Sequence, residues 1–200
     1  MKQDYKAFLN SKIKLAEKHG FDIELSDINP WHKPHVKDIV KWAVKGGRRA
    51  IFASFGLHKT AIQLEVIAQN LKKHGGNAII TAPLAVQYEF FEDAEKMGIA
   101  DRLKYITHSD QVTSEHDIYL TNYERVRVKE NFNPELFTVT SADEASTLRS
   151  LDSQTSDAFF EVFKKIPIRY VATATPPIIG RKRELPFRSV PANIWPMPAA

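Results

Sequence analysis

Short apolar runs alternate with amphipathic segments along most of this chain, and that alternation constrains the fold more than any other feature. Runs such as 50–53 and 78–82 are typical of buried strands, whereas apolar residues from Ile62 to Leu71 recur at helical spacing and stop before Gly75. The sequence predicts further strands over residues 103–107, 117–121, 136–141 and 169–172, and further helices over residues 84–97, 122–128 and 153–165. Such alternation predicts an α/β fold, a mostly parallel sheet with helices on both faces.

The two ends of the chain differ from this body. Residues 4–19 predict an amphipathic helix, which places an N-terminal helical extension over residues 1–27. Six of the 11 prolines lie at or after Pro176. Because proline removes backbone donors and blocks helices, residues 177–200 are predicted to form an irregular tail. Residues 28–176 are left as a single globular domain.

Composition excludes several classes of protein. The chain has no cysteine, which excludes disulfide scaffolds, zinc fingers, iron–sulfur clusters and cysteine nucleophiles. No apolar stretch is long enough to span a membrane, and the first residues carry mixed charge, so we expect a cytoplasmic protein without a membrane partner. Lys and Arg number 28 against 24 Asp and Glu, a net charge of +4. This mild excess permits a nucleic-acid partner without requiring one.

The first candidate for chemistry lies between the run 50–53 and the helix that follows it. Gly56, Lys59 and Thr60 fit a phosphate-binding loop, in which backbone N–H groups and a lysine hold phosphates while a hydroxyl binds Mg²⁺. His58 does not fit, because the pattern has glycine before the lysine. An ordinary strand–helix turn with a solvated lysine explains the same short fragment.

Two further candidates follow later strands. Asp143 and Glu144 end the run 136–142, where an Asp can hold Mg²⁺ through water and a Glu can polarise an attacking water. An acidic helix cap is the alternative for this pair. Thr173 and Thr175 end the run that begins at residue 169, and by themselves they indicate only a strand end and a turn.

The order of these segments is more specific than any one of them. A strand with Gly-x-x-Lys-Thr, a strand with Asp-Glu and a strand with Thr-Ala-Thr-Pro follow one another along the chain. In this order they resemble the first motor domain of superfamily-two helicases, most closely the Swi/Snf-like helicases of phages and bacteria. The matching segments are Asp143-Glu144-Ala145-Ser146, Thr173-Ala174-Thr175-Pro176, Ala82-Pro83-Leu84-Ala85-Val86, Thr121-Asn122-Tyr123-Glu124 and Leu148-Arg149-Ser150. The resemblance covers residues 28–176 and implies a three-layer RecA-like fold.

The resemblance also implies an ATP site that uses Mg²⁺. In such a site the loop residues Gly56, Leu57 and His58, with Lys59, would surround the phosphates. Thr60 and Asp143 would hold Mg²⁺, and Glu144 would orient the attacking water.

Two other groups of residues take roles from the same resemblance. Thr173 and Thr175 would link the ATP site to the nucleic acid. Contacts to the backbone of DNA, in preference to RNA, are expected at four positions: Pro83, Leu84, Thr121 and Asn122.

Three departures from the family pattern stand out. His58 replaces a glycine, and Val36 in Pro34-His35-Val36 stands where the family usually has a glutamine that reads adenine. Nothing after Thr175 resembles the second motor domain, whose arginine fingers complete the ATP site in the family. We therefore expect that domain as a missing partner and interpret the chain as truncated or frameshifted after the third motif.

Aromatic and basic residues near the start of the chain permit two interpretations. Trp31 and Trp42 could flank an adenine pocket, but Trp42 lies in an amphipathic stretch and is predicted to be part of the core. Arg48 and Arg49 could contact phosphate, although a solvated surface is the simpler interpretation.

The sequence therefore favours the ATP-binding motor domain of a nucleic-acid-dependent ATPase or helicase. The competing hypothesis is a non-catalytic nucleic-acid-binding module with the same fold and a degenerate phosphate loop, which His58 and Val36 both favour. A phosphate-loop kinase of another family is a third possibility. It would need a substrate lid and basic residues after Asp143-Glu144 that the sequence lacks.

Overall fold

The computed structural model describes residues 19–145 and 153–174. Their centre is a sheet of six strands, and every neighbouring pair in it is parallel. The strands are β1 (Arg48–Phe52), β2 (Ala78–Ala82), β3 (Leu103–Tyr105), β4 (Ile118–Asn122), β5 (Val139–Ala142) and β6 (Ile168–Thr173). Their order across the sheet is β1-β6-β5-β2-β4-β3. The predicted parallel sheet is confirmed.

Helices cover both faces of this sheet. They are α1 (Pro34–Gly46), α2 (Lys59–His74), α3 (Gln87–Met97), α4 (Tyr123–Val126) and α5 (Ser153–Phe163). Apolar side chains of α1, α2 and α3 pack into one buried cluster with Ile80 of β2. Side chains of α4 and α5 form a second cluster with Ile79, the preceding residue of the same strand. Because successive residues of a strand point to opposite faces, the two clusters define the predicted α/β three-layer architecture.

Glycine residues end the first two helices, α1 and α2. Gly75 follows α2 with φ 67°, and its N–H donates to the carbonyl of Leu71 at 2.8 Å. The predicted stop at this position is confirmed. Gly47 ends α1 with a left-handed conformation, φ 68° and ψ −20°, and Pro34 occupies the first turn of that helix. The sequence indicated an amphipathic stretch within α1, but no helix was predicted there.

Several predicted boundaries differ from the observed ones. Residues Leu84–Val86 form a separate 3₁₀ turn before α3, so the predicted helix over 84–97 begins with a break. The predicted strand over 136–141 begins later, at Val139, because Pro134–Leu136 forms a 3₁₀ turn. The predicted helix over 122–128 is only the single turn of α4.

The prediction that Trp42 belongs to the core is wrong. Its side chain is 42% exposed, since the buried stripe of α1 consists of Val36, Val40, Ala43 and Val44. The guanidinium of Arg49 lies 5.6 Å from the centre of the Trp42 ring, and Arg49 is itself only 8% exposed. The solvated surface predicted for Arg49 is therefore also wrong: the ring covers the charged group.

Some predictions fall on residues outside the described ranges. These are almost all of the predicted N-terminal helix over 4–19, the Ser146 and Leu148–Ser150 matches, Thr175, Pro176 and the tail over 177–200. Within the described ranges, no helix combines the length and the apolar character needed to cross a membrane.

Candidate functional site

The candidate residues that follow β1, β5 and β6 meet at one edge of the sheet. In the parallel register Phe52, the last residue of β1, pairs with Thr173, the last residue of β6. On the other side of β6, Val171 pairs with Ala142, which directly precedes Asp143. Ligands of parallel sheets bind beyond the carboxyl ends of the strands, so this edge is where a site is expected.

The loop from β1 to α2 is largely exposed. Gly56 has φ 79°, and the ring of Phe55 is 84% exposed. Lys59 begins α2, and its Nζ lies 5.4 Å from the centre of the Phe55 ring. The lysine is therefore at the amino-terminal end of a helix, where the backbone N–H groups and the helix dipole favour an anion.

His58 keeps the backbone conformation that glycine adopts most easily. Its φ of 53° and ψ of 44° are left-handed, a region that costs a residue with a side chain about 1 kcal/mol. Its carbonyl accepts the first helical hydrogen bond, from the N–H of Ile62 at 2.9 Å. The histidine thus preserves the path of the loop, and its difference from glycine is confined to the imidazole and the strain.

The imidazole of His58 lies against Trp31, with ring centres 6.0 Å apart and nearly perpendicular. Buried Glu65 of α2 holds the segment that carries Trp31. It accepts from the N–H of Asn29 at 3.2 Å and pairs with His32 at 3.1 Å. Burial raises the pKa of Glu65, but the hydrogen bonds from His32, Gln69 and Asn29 outweigh burial and leave the pKa below its ordinary value. A half-exposed aromatic ring is consequently fixed beside the loop.

Val36 lies away from this loop surface. Its side chain is 1% exposed and belongs to the buried stripe of α1. A buried valine has neither the amide nor the access to read a base, so adenine recognition by this position is absent.

Asp143 is the most constrained of the predicted site residues. Its side chain is 4% exposed, and Oδ1 accepts a hydrogen bond from Nε2 of Gln63 at 2.7 Å. Burial raises the pKa of Asp143 above its ordinary value, while the hydrogen bond from Gln63 and the charge of Lys59 act in the opposite direction. Lys59 follows the loop after β1 and Asp143 follows β5, so the lysine and this carboxylate lie at the same edge of the sheet.

Glu144 is held both by its backbone and by its side chain. Its φ of 48° is left-handed, and such strain in a residue other than glycine is frequent at functional sites. The hydroxyl of Thr173 lies 2.7 Å from Oε1 of Glu144 and donates to it. Tyr123 of α4 donates to the carbonyl of Asp143 at 2.7 Å, one residue before the strained position. The structure therefore brings together Asp143, Glu144 and Thr173.

Thr60 has a partner that the sequence did not suggest. Its hydroxyl donates to Oδ2 of Asp93 on α3, and Thr60 is buried. A hydroxyl that gives its proton to a carboxylate keeps its lone pairs for a cation. The oxygens of Thr60 and Asp143 are hard donors of the kind that Mg²⁺ prefers, so the chemistry of the two residues fits the ion.

The predicted nucleic-acid contacts divide into buried and exposed residues. Thr121 is fully buried and Asn122 nearly so, and the side chain of Asn122 caps α4 by accepting from the N–H of Arg125 at 3.0 Å. Leu84, by contrast, is 62% exposed. Pro83 directly precedes it and is half-buried. In this conformation Leu84 and Pro83 are accessible to a partner, whereas the side chain of Thr121 is not.

Sequence reasoning missed Gln63, Asp93 and Tyr123 as members of this site. Tyr123 lies within the matching segment Thr121-Asn122-Tyr123-Glu124, so its position near the site could have been inferred from that match. Gln63 and Asp93 carried no signal, because each meets its partner only through the packing of helices against the sheet and against one another.

Comparison with known proteins supports the fold. No protein-family model and no curated protein matches the chain. Among solved structures, it is similar to the SWI2/SNF2 ATPase core of Sulfolobus solfataricus in complex with dsDNA, with a TM-score of 0.61, 21% identity and 77% of this chain covered. It is also similar to two structures of the UvsW helicase of bacteriophage T4, with TM-scores of 0.56 and 0.58, identities of 15% and 17%, and 88% of this chain covered in each.

These similarities define the class of fold as the RecA-like α/β domain found in those proteins. The chain spans 34% of the length of the Sulfolobus chain, and 60% and 34% of the two UvsW chains. It therefore matches one part of each of these larger proteins.

Proposed function

We propose that this chain is the ATP-binding motor domain of a nucleic-acid-dependent ATPase or helicase. The observation that supports the proposal best is that Lys59, Asp143, Glu144 and Thr173 all lie at the edge where β1, β5 and β6 end, with Thr173 donating to Glu144 at 2.7 Å. Sequence order alone does not require these contacts. A phosphate-transfer site does, since its catalysis consists mainly of positioning and electrostatic stabilisation.

The residues of the site take the following roles in this proposal. Lys59 and the N–H groups of the loop at Gly56, Leu57 and His58 bind the phosphates of ATP. Thr60 and Asp143 hold Mg²⁺, which when bound neutralises phosphate charge. Glu144 orients the attacking water and accepts its proton at the carboxylate.

Trp31 supplies the contact to the base in the same proposal. Its ring is 39% exposed beside His58, and an aromatic face stacks on any base without reading its edge. Because Val36 cannot discriminate adenine, we expect weak preference between ATP and GTP.

The proposed partners are DNA and a second RecA-like domain. Thr173, and Thr175 beyond the described residues, would transmit the state of the ATP site to the nucleic acid. Pro83 and Leu84 would contact the DNA backbone directly. Thr121 and Asn122 would support the same surface from within the fold, at the end of β4 and at the cap of α4.

The test measures nucleotide binding, turnover and DNA binding on the 200-residue chain. We expect weak binding of Mg²⁺-ATP and almost no turnover, because arginine fingers from a second domain contribute about 10³ to 10⁵ in rate in related enzymes. DNA binding should be weak, independent of sequence and strongly weakened by salt. Sequence-selective, salt-insensitive DNA binding would contradict the proposal. Robust DNA-stimulated hydrolysis by this chain alone would support an ATPase and contradict only the expected need for a second domain.

The competing candidate is a non-catalytic nucleic-acid-binding module. The specific observation in its favour is the His58 imidazole, which occupies the loop beside Lys59 where the motif has no side chain. Salt-sensitive DNA binding without any detectable binding of ATP, with or without Mg²⁺, would select this candidate.

A further inference from the structure

Gln63 is a buried amide that joins two structural elements at the candidate site. It lies one turn after Lys59 on α2 and is 0% exposed. Its Nε2 donates to Oδ1 of Asp143 at 2.7 Å, and its Oε1 accepts from the hydroxyl of Ser141 at 2.6 Å. The one amide therefore connects the helix that carries the phosphate-loop lysine to the strand that carries the carboxylate.

The orientation of this amide is determined by chemistry. An ionised carboxylate only accepts hydrogen bonds, so the NH₂ group of Gln63 must face Asp143. The carbonyl oxygen then faces Ser141, whose hydroxyl is able to donate. Both ends are satisfied in one orientation only, and rotation of the amide by 180° would place two acceptors against each other. A buried, fully paired amide of this kind has a single arrangement.

We propose that Gln63 is a positioning residue that fixes the Asp143 carboxylate for Mg²⁺, acting through its paired hydrogen bonds to Asp143 and Ser141. The inference rests on the proposed function, since it concerns the same cation site. Partners that orient a metal ligand typically change metal affinity by about 10- to 100-fold when they are removed. Gln63 would thereby set how strongly Mg²⁺ enhances ATP binding, while contributing nothing to ATP binding without the ion.

The same helix provides a matched control. Asn70 is also 0% exposed on α2, and its amide donates to the carbonyl of Val66 and to the hydroxyl of Tyr170. It makes no hydrogen bond to Asp143. Gln63→Leu and Asn70→Leu each remove one buried amide from one helix, so a difference between them reports on the carboxylate rather than on stability.

The experiment compares ATP affinity in Mg²⁺ and in EDTA by calorimetric titration, for wild type and for each variant, with thermal melting alongside. We expect Gln63→Leu to reduce the Mg²⁺ enhancement about tenfold and to leave the affinity in EDTA unchanged. Asn70→Leu should lower the melting temperature and keep the enhancement. An unchanged enhancement in Gln63→Leu, or an equal loss in Asn70→Leu, would overturn the inference.

A second variant covers the case in which Gln63→Leu does not fold. Ser141→Ala removes the hydroxyl that orients the amide and leaves Asp143 and Gln63 in place. It should reduce the Mg²⁺ enhancement in the same direction by a smaller factor, and full retention of the enhancement would count against the inference. If wild type shows no binding of ATP in either condition, the proposed function fails first, so the two failures are distinguishable.

Discussion

The loop between β1 and α2 and the Asp143–Glu144 segment lie at the same edge of one sheet, but the contacts that hold them are very different. Phe55 in the loop is 84% exposed, and the cation of Lys59 lies 5.4 Å from the centre of that exposed ring. Asp143 is 4% exposed and receives bonds from Gln63 on one face of the sheet and Tyr123 on the other. Asp143 is therefore part of the core, whereas the loop before Lys59 is open to solvent.

This difference indicates which substitutions should affect ligand binding and which should affect the stability of the fold. In an exposed loop a side chain affects ligand binding with little effect on folding, because water replaces whatever contacts are lost. At a buried, hydrogen-bonded position the same change alters the stability of the whole domain. Two residues depart from the helicase pattern: His58 lies in the open loop, and Val36 lies in the buried stripe of α1. The Asp143–Glu144 pair matches the pattern.

The largest expected effect is on ATP binding by Lys59→Ala. Loss of a charge-assisted contact to phosphate should weaken binding by at least about tenfold, since hydrogen bonds to charged groups contribute roughly 1.5–3 kcal/mol. The melting temperature should change by no more than a few degrees, because the Phe55 ring against which the lysine packs is itself exposed. Calorimetric titration and thermal melting measure the two quantities. Lys72→Ala, an exposed lysine at the far end of α2, is the control and should change neither.

Asp143→Asn should have the opposite profile. Burial raises the folded-state pKa of Asp143, so the folded chain binds this proton more tightly than the unfolded chain does. The stabilising effect of the protonated form is present at acidic pH and is lost as the pH rises through the raised pKa. Because asparagine never ionises and still accepts from Gln63, the variant should melt a few degrees above wild type at pH 7.

The pH series provides the check on this second prediction. The difference in melting temperature should shrink as the pH falls and vanish where the aspartate is protonated in both states. Mg²⁺ with ATP should raise the melting temperature of wild type but not of Asp143→Asn. A variant that melts below wild type at pH 7 would show that the ionised carboxylate stabilises the fold, and that the core does not penalise its charge.

The smallest expected effect is that of His58→Gly. Glycine adopts the left-handed conformation without the cost of about 1 kcal/mol and removes the imidazole beside Lys59. We expect ATP to bind a few-fold more tightly at both pH 6 and pH 8, through relief of steric obstruction. If a protonated imidazole instead assists the phosphate, binding should weaken, and most at pH 6. Unchanged affinity at both pH values would show that the loop does not hold phosphate.

The sequence predicted the sheet well because each strand is a short apolar run between turns, and the period of such runs is a local property. The end of α2 at Gly75 was also predictable, because a glycine after the last apolar residue of a helix is a local signal. The exposure of Trp42 was not predictable in this way. Its neighbours Val40 and Ala43 are buried, and only the tertiary contact with Arg49 shows which side of the stripe the indole takes.

The site was predictable as a set of residues but not as a network. Local motifs identified Lys59, Asp143 and Glu144, whose types carry the chemistry. The bonds that orient them join positions far apart in the chain, such as Gln63 to Asp143 and Thr60 to Asp93. No period or spacing encodes such pairs, because they arise only when α2 packs on β5 and beside α3.

The strand order has a consequence for how this domain is made. Within the described sheet, β1 is an edge strand and pairs with β6 alone. Arg48, the first residue of β1, pairs in register with Arg169, about 120 residues later in the chain. During synthesis the ribosome must therefore complete nearly the whole domain before β1 is paired. Until then its backbone donors remain open to other chains, a hazard typical of long-range parallel pairing. Co-translational folding would thus complete the end of β1 that leads into the loop at Gly56 last, although this loop is encoded before Asp143, Glu144 and Thr173.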